Sequence, residues 1–294
     1  MRRIRCHAGG LRLEQVAEPV AGDGELLIRA RAIGVTRPAV AGLRDGQVPG
    51  GEVGGEVIGI GPDVDGWKVG DRVAALPFGG SYAEVVTAPA VLATRIPDTA
   101  DFVSAVALVR SGHVALGVLD AAALTPGESV LVTAAASGVG SLLVQAARLR
   151  GAGRVVAAAS PGKASFLYDL GADEVVGYDA PGVEPVDVVL DGAGGEVLPR
   201  ALAAARPGGR AVFFASGGGT VPAYDLLAGA KTITGFSMAY FARTQPQRYA
   251  EHERELWELP LRPRVHEVLP LERAGRAHEI VLGRANCGKV VLVP

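Results

Sequence analysis

The sequence predicts an α/β protein: a doubly wound parallel sheet in the middle of the chain and an antiparallel β domain assembled from both ends. Three observations carry this. Residues 129–148 read as a short apolar run, a turn of small residues and the start of an apolar helix face. From there to about residue 245 strand-like and helical text alternates, the pattern of a parallel sheet with right-handed crossovers and ligands at the carboxyl ends of its strands. Up to about residue 97, and again over 264–269 and 289–293, the text is β-like with glycine or proline between the runs.

Taken in order, residues 26–33, 56–60, 72–76 and 82–87 are β-like, with turns marked by Gly61, Gly66, Gly70 and Asp71. Residues 103–122 form a mostly apolar helix through Ala105, Leu108, Val109, Val114, Leu116 and Leu119, and 125–128 are a tight connection. Strands follow at 129–132, 155–156, 174–176, 186–190, 211–214 and 232–234, separated in part by helical stretches around 163–170 and 197–205. A charged helix spans 247–257, and an amphipathic helix at 271–282 lies between the last two β-like runs. The expected partition is 1–100 with 246–294, and 101–245.

With 294 residues, of which 49% are hydrophobic, the chain has apolar material for one large core or two modest ones. A net charge of −2 without long runs of one sign argues against nucleic-acid and anionic-membrane surfaces. The basic first residues lead into no signal-like apolar segment, and no apolar run reads as long enough to cross a bilayer, so a cytoplasmic protein is expected. Cys6 and Cys287 stand near opposite ends, which fits a reduced compartment better than a disulfide framework.

The turn at 135–140 carries the chemistry. Glycines at 138 and 140 remove the Cβ atoms that would keep a pyrophosphate from the backbone, and the helix that follows offers its N-terminal amides to an anion. A return strand near 154–158 closes the βαβ unit. The same small residues also suit a purely structural strand-to-helix turn, so context rather than the turn alone favours a dinucleotide.

Together, the run 22–28, the turn at 34–35, the Gly-Asp-Arg-Val ending of 61–73, Pro126-Gly-Glu, the Ala-Ala-Ser-Gly-Val-Gly turn, Leu170-Gly-Ala-Asp, Pro207-Gly-Gly and the closing 288–293 resemble the medium-chain dehydrogenase/reductase superfamily. The likeness covers nearly the whole chain and is strongest to the zinc-free quinone oxidoreductase and enoyl-reductase branch. It implies a GroES-like β domain from both termini, a Rossmann domain between them, and a homodimer paired through the last strands of the Rossmann sheet at 212–233. It also implies cofactor contacts at Ala135, Ser137, Gly138, Val139, Gly140, Gly192, Phe214, Ala215, Ser216 and Lys289.

NADPH is the expected coenzyme. Residues 157–163 read Ala-Ala-Ala-Ser-Pro-Gly-Lys, with no carboxylate to hold ribose hydroxyls or repel a 2′-phosphate. Ser160 and Lys163 supply a donor and a point charge, and Tyr178 sits where similar enzymes place a tyrosine. Lys163 also reads as a solvated lysine at a helix start, and Tyr178 as a half-buried strand-end residue. No metal is expected: zinc-dependent relatives carry Gly-His-Glu where this chain has Gly50-Gly-Glu52, and two distant cysteines build no thiolate site.

Without a Lewis acid, reduction of a quinone or a conjugated C=C is the chemistry best supported, because the charge left by hydride spreads into a carbonyl that hydrogen bonds can stabilise. The candidate catalytic residues are Thr36, where the family often has asparagine; His113, where it often has threonine near the nicotinamide; and Tyr82, a possible donor to a substrate carbonyl. His113 in an apolar helix also reads as a satisfied core residue, and Tyr82 as a packed strand residue. The reading is thus an NADPH-dependent reductase of small enones or quinones. Its rival is a nucleotide-binding protein of the same fold that transfers no hydride and acts as a sensor, partner or non-redox catalyst.

Overall fold

The computed structural model describes residues 1–77, 79–179 and 183–294. The chain divides into two compact units, one made of Met1–Arg110 with Pro263–Pro294 and the other of Ser111–Arg262.

The central unit holds a six-stranded sheet, in spatial order Glu174–Val176, Arg154–Ala158, Ser129–Val132, Val186–Asp191, Ala205–Phe213 and Thr232–Gly235, parallel at every pairing. The apolar runs read from the sequence are these strands. Val130, Val132, Val155, Val156, Val188, Val189 and Leu190 are buried, as strands covered on both faces must be. The strand order reverses beside Ser129–Val132, whose neighbours are the second and the fourth strands in chain order, and such a reversal is where an open parallel sheet leaves a crevice for ligands. Helix Gly138–Leu149 buries Leu142, Leu143, Val144, Ala146 and Ala147, a continuous apolar face of the kind that packs on a sheet.

Helix Pro246–Glu258, expected with the terminal domain, belongs to this unit. Arg248 donates through Nε and Nη2 to Asp120 at 2.6 and 3.1 Å, His252 Nε2 stands 2.9 Å from the same carboxylate, and Gln145 and Arg262 bond one another. These partners lie more than a hundred residues apart in sequence, so local pattern does not show them.

The terminal unit is built on a seven-stranded sheet. Its path runs Val265–Pro270, Lys289–Val293, Glu25–Val35, Val53–Ile60, Arg72–Ala75 and Ala93–Arg95, with Val85–Pro89 also paired to Glu25–Val35. All pairings are antiparallel except the first two strands on the path. Leu26, Ile28, Ile33, Val53, Val57, Val73, Tyr82 and Leu292 form its core, closed by Leu271, Ala277 and Ile280 of the 271–282 segment. That segment is a 3₁₀ turn, Leu271–Arg273, continued by helix Ala274–Leu282.

One expectation needs correcting. Helix Phe102–Ala122 is long and apolar enough to cross a bilayer by length and composition, with a mean hydropathy of 1.7 in its most apolar window. That window is 78% buried inside the protein, which is how a core helix passes the same test.

Candidate functional site

The small-residue turn closes the carboxyl end of strand Ser129–Val132. Two backbone bonds hold its start: Thr133 N–H donates to Leu190 O at 3.0 Å, and Ala135 N–H to Ala158 O at 3.1 Å, so the turn is fastened to the strands on both sides. Ala134 takes a left-handed conformation at φ 50°. Ser137 then caps helix Gly138–Leu149 from an extended conformation, its Oγ accepting from Gly140 N–H at 3.0 Å. Gly140 is dictated by contact. A Cβ there would stand 2.2 Å from Ala134 O and 2.7 Å from Ala135 Cα, both backbone atoms. Ser137, Gly138 and Val139 are half-buried at the helix start, where free amides and the helix dipole favour an anion.

A second turn meets this one at the switch point, and sequence reasoning found only part of it. Thr133 Oγ1 donates to Asp191 Oδ1 at 2.5 Å and accepts from Gly192 and Ala193 N–H at 3.0 and 3.1 Å, while Asp191 Oδ2 accepts from Gly194 N–H at 3.0 Å. Asp191 is fully buried; burial raises its carboxyl above the ordinary range, against the pull of these hydrogen bonds. Phe214 N–H donates to Asp191 O at 3.0 Å, which adds the end of strand Ala205–Phe213, with Phe214 and Ala215 half-buried and Ser216 exposed. The signal available in the sequence was a hydroxyl and a carboxylate each closing an apolar strand.

The residues expected around a 2′-phosphate lie at neighbouring strand ends. Ser160 is half-buried just beyond Arg154–Ala158, and Lys163, half-buried, is the N-cap residue of the short helix Ala164–Tyr168. Tyr178 lines a cavity of about 250 Å³ with Thr133, Ala158, Val176 and Arg200, at the carboxyl ends of three strands.

The expected catalytic residues fall in both units. His113, in the central unit, is fully buried and stacked on Tyr249 with centroids 4.1 Å apart and an interplanar angle of 5°. Among the described residues no hydrogen-bond partner reaches either of its ring nitrogens, and burial, with the neighbouring His252, lowers its pKa to about 3, so it is neutral at ordinary pH. It is packed here as a neutral imidazole.

Tyr82 and Thr36 belong to the terminal unit. Tyr82 is fully buried, its Oη 3.2 Å from His278 Nε2, and burial together with Glu52 raises its pKa, so the phenol keeps its proton. Burial lowers His278 to about 4. Thr36 precedes the short helix Arg37–Val40 in an extended conformation and makes no side-chain cap bond. Lys289, expected at the cofactor, has a partner inside its own unit: its Nζ donates to Glu52 Oε1, and both side chains are buried. Glu52 is the carboxylate of the Gly50-Gly-Glu52 sequence. The backbone N–H of Gly51, which stands where zinc relatives carry histidine, donates to Ser81 Oγ at 2.9 Å. Among the described residues no three His, Cys, Asp or Glu side chains gather as metal ligands would.

Comparison with known proteins agrees with this construction. A family model described as alcohol dehydrogenase GroES-like domain matches residues 22–98, and one described as zinc-binding dehydrogenase matches 138–256. The human synaptic vesicle membrane protein VAT-1 homolog is 32% identical over 97% of this chain and 82% of its own length. A quinone oxidoreductase of Pseudomonas aeruginosa is 31% identical over 95% of this chain and 94% of its own. Among solved structures, a mycobacterial protein in complex with NADPH superposes with a TM-score of 0.90 at 32% identity, covering 100% of both chains. The chain therefore belongs to the medium-chain dehydrogenase/reductase superfamily, in its quinone oxidoreductase branch.

Proposed function

We propose that this NADPH-dependent oxidoreductase reduces a quinone, or the C=C bond of an α,β-unsaturated carbonyl compound, without a metal ion. The observation that carries the reading is the Ser137-capped turn at the switch point, with its close approach at Gly140. The residues present fit the coenzyme: an anion-binding helix start, a 157–163 stretch without carboxylates, and Ser160, Lys163 and Tyr178 at adjacent strand ends. Lys289 is better read as a partner of Glu52 than as a coenzyme contact.

When bound, the coenzyme supplies hydride; the protein supplies orientation and hydrogen-bond donors for the oxygen that gains charge. Thr36 is the donor we assign, as the hydroxyl that follows strand Glu25–Val35 where the family often has asparagine. Tyr82 and His113 are assigned to packing, since each is fully buried against an aromatic or imidazole neighbour. We further infer a homodimer through strand Thr232–Gly235, which ends the parallel sheet with one edge unpaired among the described residues. A cytoplasmic setting accords with two unpaired cysteines.

The test is coenzyme oxidation followed at 340 nm against a panel of quinones and enones, with NADPH and NADH in parallel. The expected result is turnover of at least one class, with kcat/KM for NADPH exceeding that for NADH by at least about tenfold, the equivalent of one charge-assisted contact to the extra phosphate. Tight NADPH binding with no turnover of any compound would instead favour a nucleotide-binding protein without hydride transfer.

A further inference from the structure

The Glu52–Lys289 pair is buried, and buried ion pairs are in general weak sources of stability. Lys289 lies at the start of strand Lys289–Val293, which pairs with Glu25–Val35 through Val290↔Val35 and Val291↔Gly34. On the other side of Glu25–Val35, Ile33 pairs with Val53 and Gly34 N–H reaches Glu52 O at 3.4 Å. Alternate residues of a strand share a face, and residues opposite one another across a ladder share it too. Glu52, Gly34, Thr36 and Lys289 therefore all face the same way, opposite to Ile33 and Val35 in the main core.

Gly34 is the gap that lets the pair meet. A Cβ at Gly34 would stand 1.8 Å from Glu52 Oε1, the oxygen that accepts from Lys289 Nζ. Side-chain exposure is 5% for Lys289 and 2% for Glu52. Glu52 Oε2 is buried with no hydrogen-bond partner among the described residues. A buried ion pair with an unsatisfied oxygen is a poor source of stability, and apolar replacements of similar volume commonly do as well or better. One residue beyond the pair Val290↔Val35 come Lys289 on one strand and, in an extended conformation, Thr36 on the other.

We propose that Glu52 and Lys289 are positioning residues for the reduction: Glu52 fixes the Lys289 ammonium beside Thr36, and that charge strengthens the Thr36 hydroxyl as a donor to the substrate oxygen. The proposal rests on the reductase reading above. Hydride brings two electrons and one proton to the substrate carbon, the displaced π pair moves onto the oxygen, and Thr36 donates a hydrogen bond to the resulting enolate or quinolate. Solvent supplies the proton that completes the product. The pair takes no part in the proton transfer and serves as a fixed field in a low-dielectric site.

The experiment compares the E52L/K289M double variant, K289M, K289R and T36V with the wild type for melting temperature, NADPH affinity, and kcat and KM with the best quinone or enone. The expected result is that E52L/K289M melts at or above the wild type and binds NADPH as the wild type does, with KM within threefold and kcat at least tenfold lower. Adding T36V to it should bring little further loss, because residues acting as one unit are not additive. K289R should recover most of what K289M loses. A double variant with kcat within twofold of wild type overturns the proposal while leaving the reductase reading intact. If the double variant does not fold, equal losses in K289R and K289M overturn it. Wild-type protein that binds NADPH but reduces nothing sinks the reductase reading itself.

Discussion

Replacing Gly140 by alanine is expected to weaken NADPH binding by at least about tenfold and to destabilise the fold by about 1–3 kcal/mol or more, the range for forcing atoms into a filled space. The added methyl would enter within 2.2 Å of Ala134 O and 2.8 Å of the Ala135 carbonyl carbon, and those are backbone atoms that no side-chain rotation can move. The strand-to-helix turn has little freedom to give way, since Ala135 N–H is bonded to Ala158 O and Gly140 N–H to Ser137 Oγ. Either the helix start backs away from its strand or the cap bond breaks, and both spread the amides that would face the pyrophosphate. Urea melts and fluorescence titration with NADPH check the two effects separately. Wild-type affinity in G140A would mean that the coenzyme does not use this turn.

Stability should fall steeply as pH drops from about 6.5 to 5, above most of the carboxylate range. His113 has its pKa lowered to about 3 and His278 to about 4, mainly by burial, from an ordinary value near 6.5. Across that window the unfolded chain binds protons at both positions and the folded protein does not, so acid favours unfolding by up to about 1.4 kcal/mol per pH unit for each histidine. The stability is fully present above pH 6.5 and is lost as pH falls toward the folded values. Asp120 and Asp187, each held near 2, contribute only below the ordinary aspartate range and so do not mask the effect. Chemical denaturation at pH 7.5, 6.5, 5.5 and 4.5 should show the loss, and His113→Phe, which removes one protonation site, should roughly halve the slope. An unchanged slope in that variant would mean His113 takes up its proton in the folded protein.

The parallel sheet was legible because most of its strands, such as Ser129–Val132, Arg154–Ala158 and Val186–Asp191, hold a local apolar run, and the dinucleotide turn because its small residues are contiguous. The residues that finish the site were not. Glu52 and Lys289 are 237 positions apart and meet only because Gly34 lies between two strands in one register, a relation that no local pattern encodes. Tyr82 and His278 are 196 apart and meet where helix Ala274–Leu282 packs on the β core. His113 was legible as a departure from the family pattern, but its role was not, since the flat contact with Tyr249 depends on a helix that the sequence assigned to the other unit. Asp191 shows the intermediate case. A carboxylate closing an apolar strand stands out in the sequence, yet its partner Thr133 belongs to the neighbouring parallel strand, and parallel neighbours are set by crossovers rather than by adjacency.

The central claim is metal-independent hydride transfer from NADPH, and one labelling measurement reaches it most directly. Protein dialysed against a strong chelator, with zinc content measured, would be incubated with an enone and NADPH carrying deuterium on one or the other face of C4, and the product examined by mass spectrometry and NMR. The account predicts full activity without zinc, and deuterium at the β-carbon of the product from one face only. Product free of label from both coenzymes, or turnover that stops on chelation and returns with zinc, would contradict it.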